Sequence, residues 1–202
     1  MELHLFRHGQ TNWNAERRIQ GQSESQLDEL GQQQARDLSK RIRHLDFAKI
    51  YCSSSERTRQ TAELAFAHAI GYDIDFLDSL REIHMGPWEG RLYDDIAEDE
   101  PDSFNHFWNE PHLYDVEGAE TFQQLQDRAI SAITEFANRH AGERIALVSH
   151  GALIKSALCH FEEKPLSELW APPRMHNCAH SIVLFQEGEK PRIIQYADEL
   201  LG

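Results

Sequence analysis

Four short apolar runs in this chain are separated by stretches with helical periodicity, and that alternation constrains the fold more than any other feature. The runs are Leu3 to Phe6, Phe47 to Cys52, Asp73 to Leu77 and Ile145 to Val148. After Asp28, a suitable N-cap, Ala35, Leu38, Ile42 and Leu45 recur at spacings of three and four, the mark of one buried helix face. The segment after Ser55 repeats the pattern with Ala62, Ala65, Phe66 and Ala69. Glu120 to His140 does so with Phe122, Leu125, Ala129, Ile133 and Phe136, ahead of a stop at Gly142. The stretch after Gly151 carries Leu153, Ile154, Ala157 and Leu158. Such alternation predicts a three-layer α/β/α sandwich with a mostly parallel central sheet. Ser181 to Phe185 and Arg192 to Tyr196 flank Glu187-Gly188 and predict a closing hairpin at one edge.

At 202 residues the chain is expected to be a single domain over 1–202, with a variable, lid-like insertion at about 91–118. That insertion is acidic, aromatic and broken by Pro101 and Pro111. Its aromatic residues are expected to pack, with one or two reaching a ligand. No apolar run approaches the roughly 18 residues of a membrane span, and the N-terminus lacks the apolar centre of a secretory signal. The expected location is the cytoplasm. A net charge of −14 excludes nucleic acid and anionic membranes as partners over most of the surface, so any bound anion needs a local site. Cys52, Cys159 and Cys178 are odd in number and lack CxxC spacing, which argues against a disulfide framework or a zinc ribbon. His176, Cys178 and His180 alternate in a metal-like way, but no carboxylate completes the set, and packing is the simpler reading. The final hairpin leaves an edge strand on which a homodimer would pair.

Parallel strands deliver their C-terminal ends to one edge of a sheet, where ligands bind. Three of those ends carry chemistry here: Arg7-His8-Gly9, the Ser53 to Arg57 segment and Ser149-His150-Gly151. Glu82 lies in the loop after the third run, just before Gly86-Pro87. Two histidines, two arginines and a carboxylate suit phosphoryl transfer. A phosphomonoester dianion needs cationic donors on its oxygens and a nucleophile opposite the leaving group. His8 is the expected nucleophile, with its tautomer fixed by a backbone carbonyl at the Gly9 turn. Arg7 and Arg57 are expected to grip the phosphoryl oxygens in fork geometry, with His150 donating another hydrogen bond. Glu82 would protonate the leaving alkoxide and later deprotonate water. The arginines neutralise the charge, so neither metal nor cofactor is required.

RHGQTNWN, SSSERTRQTA, LREIHMGPWEG and LVSHG resemble, in order, the signature segments of the histidine phosphatase superfamily, in its phosphoglycerate mutase-like branch. NAERRIQGQSESQLDELG and EGAETFQQLQDR are similar to segments of bacterial phosphoglycerate mutase-like phosphatases, so the resemblance covers nearly the whole chain. It implies a phosphoglycerate mutase-like fold, with His8 the phosphorylated histidine. It also implies a phosphate pocket of Arg7, Arg57 and His150, and Glu82 as proton donor. Asn14, Gln20 and Gly21 match positions that line the phosphate or substrate pocket in such proteins. Ser53-Ser54 replaces the common Ser-Pro or Ser-Asp pair, and Gln10 stands where the mutases usually have Glu.

The expected activity is that of a metal-independent phosphomonoesterase of the histidine acid phosphatase type, acting on a small phosphorylated metabolite. A cofactor-dependent phosphoglycerate mutase is the alternative. The chain is shorter than those mutases and lacks a basic middle region, which favours hydrolysis. A non-catalytic phosphate-binding module is the third reading, weakened by the presence of all five catalytic groups.

Overall fold

The computed structural model describes residues 1–68, 71 and 73–201. In chain order the elements are β1 (Glu2–Arg7), α1 (Asn12–Ala15), α2 (Glu29–Ile42), β2 (Lys49–Ser53), α3 (Glu56–Ala65), β3 (Ile74–Leu77), α4 (Tyr93–Asp99), α5 (Pro101–Asn109), α6 (Phe122–Arg139), β4 (Arg144–Ser149), α7 (Gly151–Phe161), β5 (His180–Leu184), β6 (Arg192–Tyr196) and β7 (Glu199–Leu200). The strands form one sheet in the order β3-β2-β4-β1-β5-β6-β7. The first four in that order are parallel, and β5, β6 and β7 add on antiparallel. This is the expected sandwich. The closing hairpin is present, extended by the short β7 that the apolar pattern did not announce.

Two-residue periodicity divides the core between the faces of the sheet. Leu3 and Leu5 of β1, with Ile145 and Leu147 of β4, face α6 and α7 and join a cluster containing Phe122, Leu125, Ile133, Leu153 and Leu158. Phe6, Ala146 and Val148 point the other way, into a second cluster with Leu38 and Ile42 of α2 and Ala62 and Ala65 of α3. Asp28 caps α2 by accepting from the Gly31 amide at 2.7 Å, as its position predicted. α3 ends earlier than expected, with Phe66 as its C-cap, and Ala69 lies outside the described residues.

Register brings the strand ends level. Arg7 sits opposite Ser149, Cys52 opposite Val148 and Ser53 opposite Leu77, so β1, β2, β3 and β4 finish along one line. The segment after β1 turns at Gly9, as expected, and then enters a short helix. Thr11 and Asn14 form a capping box that starts the four-residue α1. The 91–118 segment folds as α4, α5 and a 3-10 turn, anchored by Phe107 and Tyr114 in the same cluster as Trp88 and Phe122. Glu100, one of the acidic residues of this segment, accepts from the Trp88 indole at 3.0 Å and from Arg91 at 2.7 Å. Among the described residues no helix is long and apolar enough to cross a membrane.

The loop leaving β1 is clamped against the first turn of α2 by two glycines. A Cβ on Gly9 would lie 2.5 Å from the Gly31 carbonyl oxygen, and one on Gly31 would lie 1.9 Å from that of Gln10. Both obstructions are backbone, which cannot swing aside. Helix propensity alone would make Gly31→Ala stabilising by up to about 1 kcal/mol. Overlap of this size outweighs that, and we expect Gly31→Ala to destabilise by about 1–3 kcal/mol. Urea unfolding checks it, and a variant as stable as the parent would contradict the close approach.

Candidate active site

His8 ends the first strand with every backbone group engaged. Its amide donates to Ser149 O at 3.0 Å, and its carbonyl accepts from the Cys178 amide and the Asn177 side chain, each at 3.2 Å. The ring is fixed by Nδ1 on the Gly9 carbonyl oxygen at 2.7 Å, and the Gly9 amide is held in turn by Thr61 Oγ1 at 3.0 Å. A carbonyl only accepts, so Nδ1 carries the proton and Nε2 keeps its lone pair. His8 is 2% exposed and lines a cavity of about 810 Å³ at the C-terminal edge of the sheet.

Arg7, Arg57, Glu82, Asn14, Gln20 and Gly21 line the same cavity, so seven of the eight residues expected at the site reach its wall. The eighth, His150, is fully buried just behind, its ring centroid 5.3 Å from that of His8. His150 Nε2 pairs with Ser53 Oγ at 2.8 Å, while its buried Nδ1 has no partner among the described residues. The Ser53 hydroxyl is thus the group that orients this ring.

The expected arginine forks are only partly available. Arg57 Nη1 donates to Ser23 O at 2.9 Å and Nη2 to Gly21 O at 2.7 Å, while Arg7 Nη1 donates to Met175 O at 2.5 Å. In both, the buried Nε–H has no partner. The guanidinium groups are therefore held in place by backbone carbonyls and offer the site their remaining N–H edges. Gly21 contributes its carbonyl, and its φ of +53° together with Glu89 Oε1 at 2.4 Å from a Cβ position explains the glycine. Gln20 Oε1 accepts from Thr11 and Ser25 hydroxyls at 2.8 and 2.5 Å, and Asn14 Oδ1 accepts from the Thr11 amide at 3.1 Å.

Glu82 is placed by α7. Oε2 accepts from the Ala152 amide at 3.0 Å, and Oε1 accepts from Leu153 at 3.1 Å and Ile83 at 3.0 Å. The Ala152 and Leu153 amides are free N–H groups of the first turn of α7, a natural seat for a carboxyl group. The carboxyl thereby faces the cavity across from the imidazole and arginines.

Burial and positive neighbours set the protonation states. Desolvation first, then Arg57 and Arg7, hold His8 well below the ordinary histidine value of 6.5. His150 is lowered well below it by the same causes, with His8 also contributing. Burial lowers Arg57 to about 10, which still leaves it charged at neutral pH. The site therefore holds a neutral imidazole close to two desolvated cations, an arrangement suited to an incoming dianion.

Aromatic residues form the outer wall. Tyr93, Phe104, Phe107 and Trp108 of α4 and α5 pack on one another, as expected, and all four line the cavity. Trp170 joins them, donating to Phe107 O at 2.6 Å. Sequence reasoning missed Trp170, Lys155, Met175 and the supports Ser53 and Thr61. Only Thr61 left a trace, lying one helical turn after Arg57, whose carbonyl accepts its hydroxyl at 2.7 Å. The His176, Cys178, His180 alternation makes no metal site. His180 pairs with His4 at 2.8 Å, Cys178 is in the core, His176 meets Asp198, and no metal-holding cluster of His, Cys, Asp or Glu exists among the described residues.

Comparison with known proteins identifies the family and the fold. The family model described as "Histidine phosphatase superfamily (branch 1)" matches residues 3–199. The "Probable phosphoglycerate mutase GpmB" of Salmonella choleraesuis is 38% identical over 191 residues, covering 94% of this chain and 87% of its own. The structure of Bacillus stearothermophilus YhfR superposes with a TM-score of 0.94 at 39% identity, covering 98% of this chain and 96% of that one. Mycobacterial glucosyl-3-phosphoglycerate phosphatase, solved with VO3, superposes at 0.87 with 25% identity, over 97% of this chain and 98% of that one.

Burial lowers four histidines in the fold: His4, His8 and His150, the last two well below the ordinary 6.5, and His180, to about 3. The unfolded chain takes up a proton at each near pH 6.5, so below that pH it binds more protons than the native state. Stability is therefore full above about pH 7 and falls with acid, by up to about 1.4 kcal/mol per pH unit for each ring that stays neutral in the fold. Melting temperatures from pH 7.5 down to 5 should drop steeply, and less so in His180→Asn. A flat profile would contradict the burial of neutral imidazoles.

Proposed function

Because the chain belongs to the histidine phosphatase superfamily, branch 1, we propose that it is a metal-independent phosphomonoesterase that hydrolyses a small phosphorylated metabolite through a phosphohistidine on His8. The observation that carries this reading is the 2.7 Å bond from His8 Nδ1 to the Gly9 carbonyl, which leaves Nε2 unprotonated between Arg7 and Arg57. The substrate dianion enters beside the arginines, whose free N–H edges and the buried His150 Nδ1 receive its oxygens. His8 Nε2 attacks phosphorus, the P–O ester bond breaks, and its electron pair leaves with the alkoxide oxygen. Glu82 protonates that oxygen. Water then attacks phosphorus, Glu82 takes its proton, and the P–N pair returns to His8, which is again neutral.

The relatives named as phosphoglycerate mutases favour a second reading. A mutase would interconvert phosphoglycerate isomers faster than it releases phosphate, and hydrolysis outpacing exchange would exclude it. For the phosphatase, His8→Ala should lose on the order of 10⁴-fold or more in kcat on an aryl phosphate, measured with chelator present. Near-parental turnover in that variant would overturn the assignment. Glu82→Gln should lose about 10²–10⁴-fold with an alkyl phosphate, whose leaving group needs a proton. It should lose far less with 4-nitrophenyl phosphate. Equal losses on both would remove Glu82 as the acid.

A further inference from the structure

The outer part of the cavity holds two arginines that the phosphoryl chemistry does not use. Arg17 and Arg174 both line it, on loops from opposite ends of the chain. Those loops meet: Asn177 Nδ2 lies 3.5 Å from Asn14 Oδ1, three residues from each arginine, and also donates to the His8 carbonyl. The Arg174 side chain makes no hydrogen bond or ion pair with any described residue. It is also close enough to Arg7 to add to the positive field there.

Each arginine is held where it is by specific backbone devices. Arg17 adopts φ +56°, a left-handed conformation that disfavours any residue with a Cβ, and its carbonyl accepts from the Tyr93 amide at 2.9 Å. Its guanidinium lies over the Tyr93 ring, 5.9 Å from the centroid, and pairs with Asp94, 3.3 Å away with both partners well exposed, a weak pair that a ligand can replace. The Arg174 segment is strapped to α7 by the buried Lys155, whose Nζ donates to Ala171 O at 2.5 Å and Pro173 O at 3.2 Å. In a protein of net charge −14, two loosely engaged guanidinium groups at the mouth of a cavity already holding Arg7 and Arg57 are a concentration of positive charge that the phosphoryl dianion alone does not require.

We infer that Arg17 and Arg174 form a second anion subsite, so that the preferred substrates are phosphomonoesters whose leaving group carries another anionic group, a carboxylate or a second phosphate. This rests on the phosphatase reading above and extends it to the substrate class. Tyr93 is close to both Arg7 and Arg17, so the aromatic wall is placed to pack against the spacer that joins the anions.

Non-hydrolysable ligands test the subsite without turnover. Kd values are measured by calorimetry for 4-carboxybenzylphosphonate, 1,4-bis(phosphonomethyl)benzene and the neutral analogue 4-carbamoylbenzylphosphonate. The parent protein should bind at least one doubly anionic ligand about tenfold more tightly than the neutral analogue, the scale of one charged hydrogen-bonded contact. The tighter of the two identifies carboxylate or phosphate. In Arg174→Gln and Arg17→Gln that ratio should fall toward one. No preference in the parent, or a ratio that persists in both variants, would overturn the subsite. Hydrolysis of 4-carbamoylphenyl phosphate is measured in parallel. If the parent fails to turn it over, the phosphatase reading falls, and the phosphonate ratios still decide the subsite.

Discussion

The bond from His8 Nδ1 to the carbonyl of its own neighbour, Gly9, is the interaction on which the rest of the site depends. It selects one tautomer of a buried ring and turns the unprotonated nitrogen toward the cavity. Such a bond needs a sharp turn directly after β1, and that turn exists because Gly9 and Gly31 let two backbone segments approach without Cβ atoms between them. Thr61 then locks the Gly9 amide from α3. A single imidazole is thereby oriented by a strand, a loop and two helices, and its position is a property of the packed sandwich.

The same packing resolves an electrostatic difficulty. Arg57 is 1% exposed and Arg7 is desolvated, and burying guanidinium groups is costly unless their donors are satisfied. Loop carbonyls of Ser23, Gly21 and Met175 satisfy part of each fork without cancelling its charge. What remains is a positive field inside an acidic protein, and it adds to burial, the larger cause, in keeping His8 and His150 neutral. Carboxylate partners would have neutralised that field. The carboxyl group that does face the site, Glu82, is instead held by amides of α7 and Ile83.

Much of this was legible in the chain because it depends on local periodicity. The alternation at Leu3 to Phe6 and Ile145 to Val148 specifies two-faced buried strands, and Asp28 followed by Ala35, Leu38 and Ile42 specifies α2. Parallel pairing then places Arg7, Ser53 and Ser149 on one line, so the meeting of His8 with Arg57 and Glu82 follows from topology. The supports are less legible. Ser53 belongs to a strand end that the sequence marks only as a segment, yet its hydroxyl orients His150, a contact that exists only once β2 and β4 are neighbours. Trp170 and Lys155 gain their places from an irregular segment whose path no pattern in the sequence predicts. Tyr93, Phe104 and Trp108 read as packing residues, and they are, but the surface they complete is the cavity wall. The partial occupation of the arginine forks was likewise hidden, since it depends on where the carbonyls of distant loops point.

The central claim is that Nε2 of His8 is the atom that accepts the phosphoryl group. The most direct measurement is rapid quenching during turnover of an aryl phosphate, followed by proteolysis under alkaline conditions and determination of the modified residue and ring nitrogen by mass spectrometry and NMR. The account predicts a transient, acid-labile phosphoryl group on Nε2 of His8. A phosphoryl group on Nδ1 or on another residue, or turnover with no covalent intermediate, would contradict it.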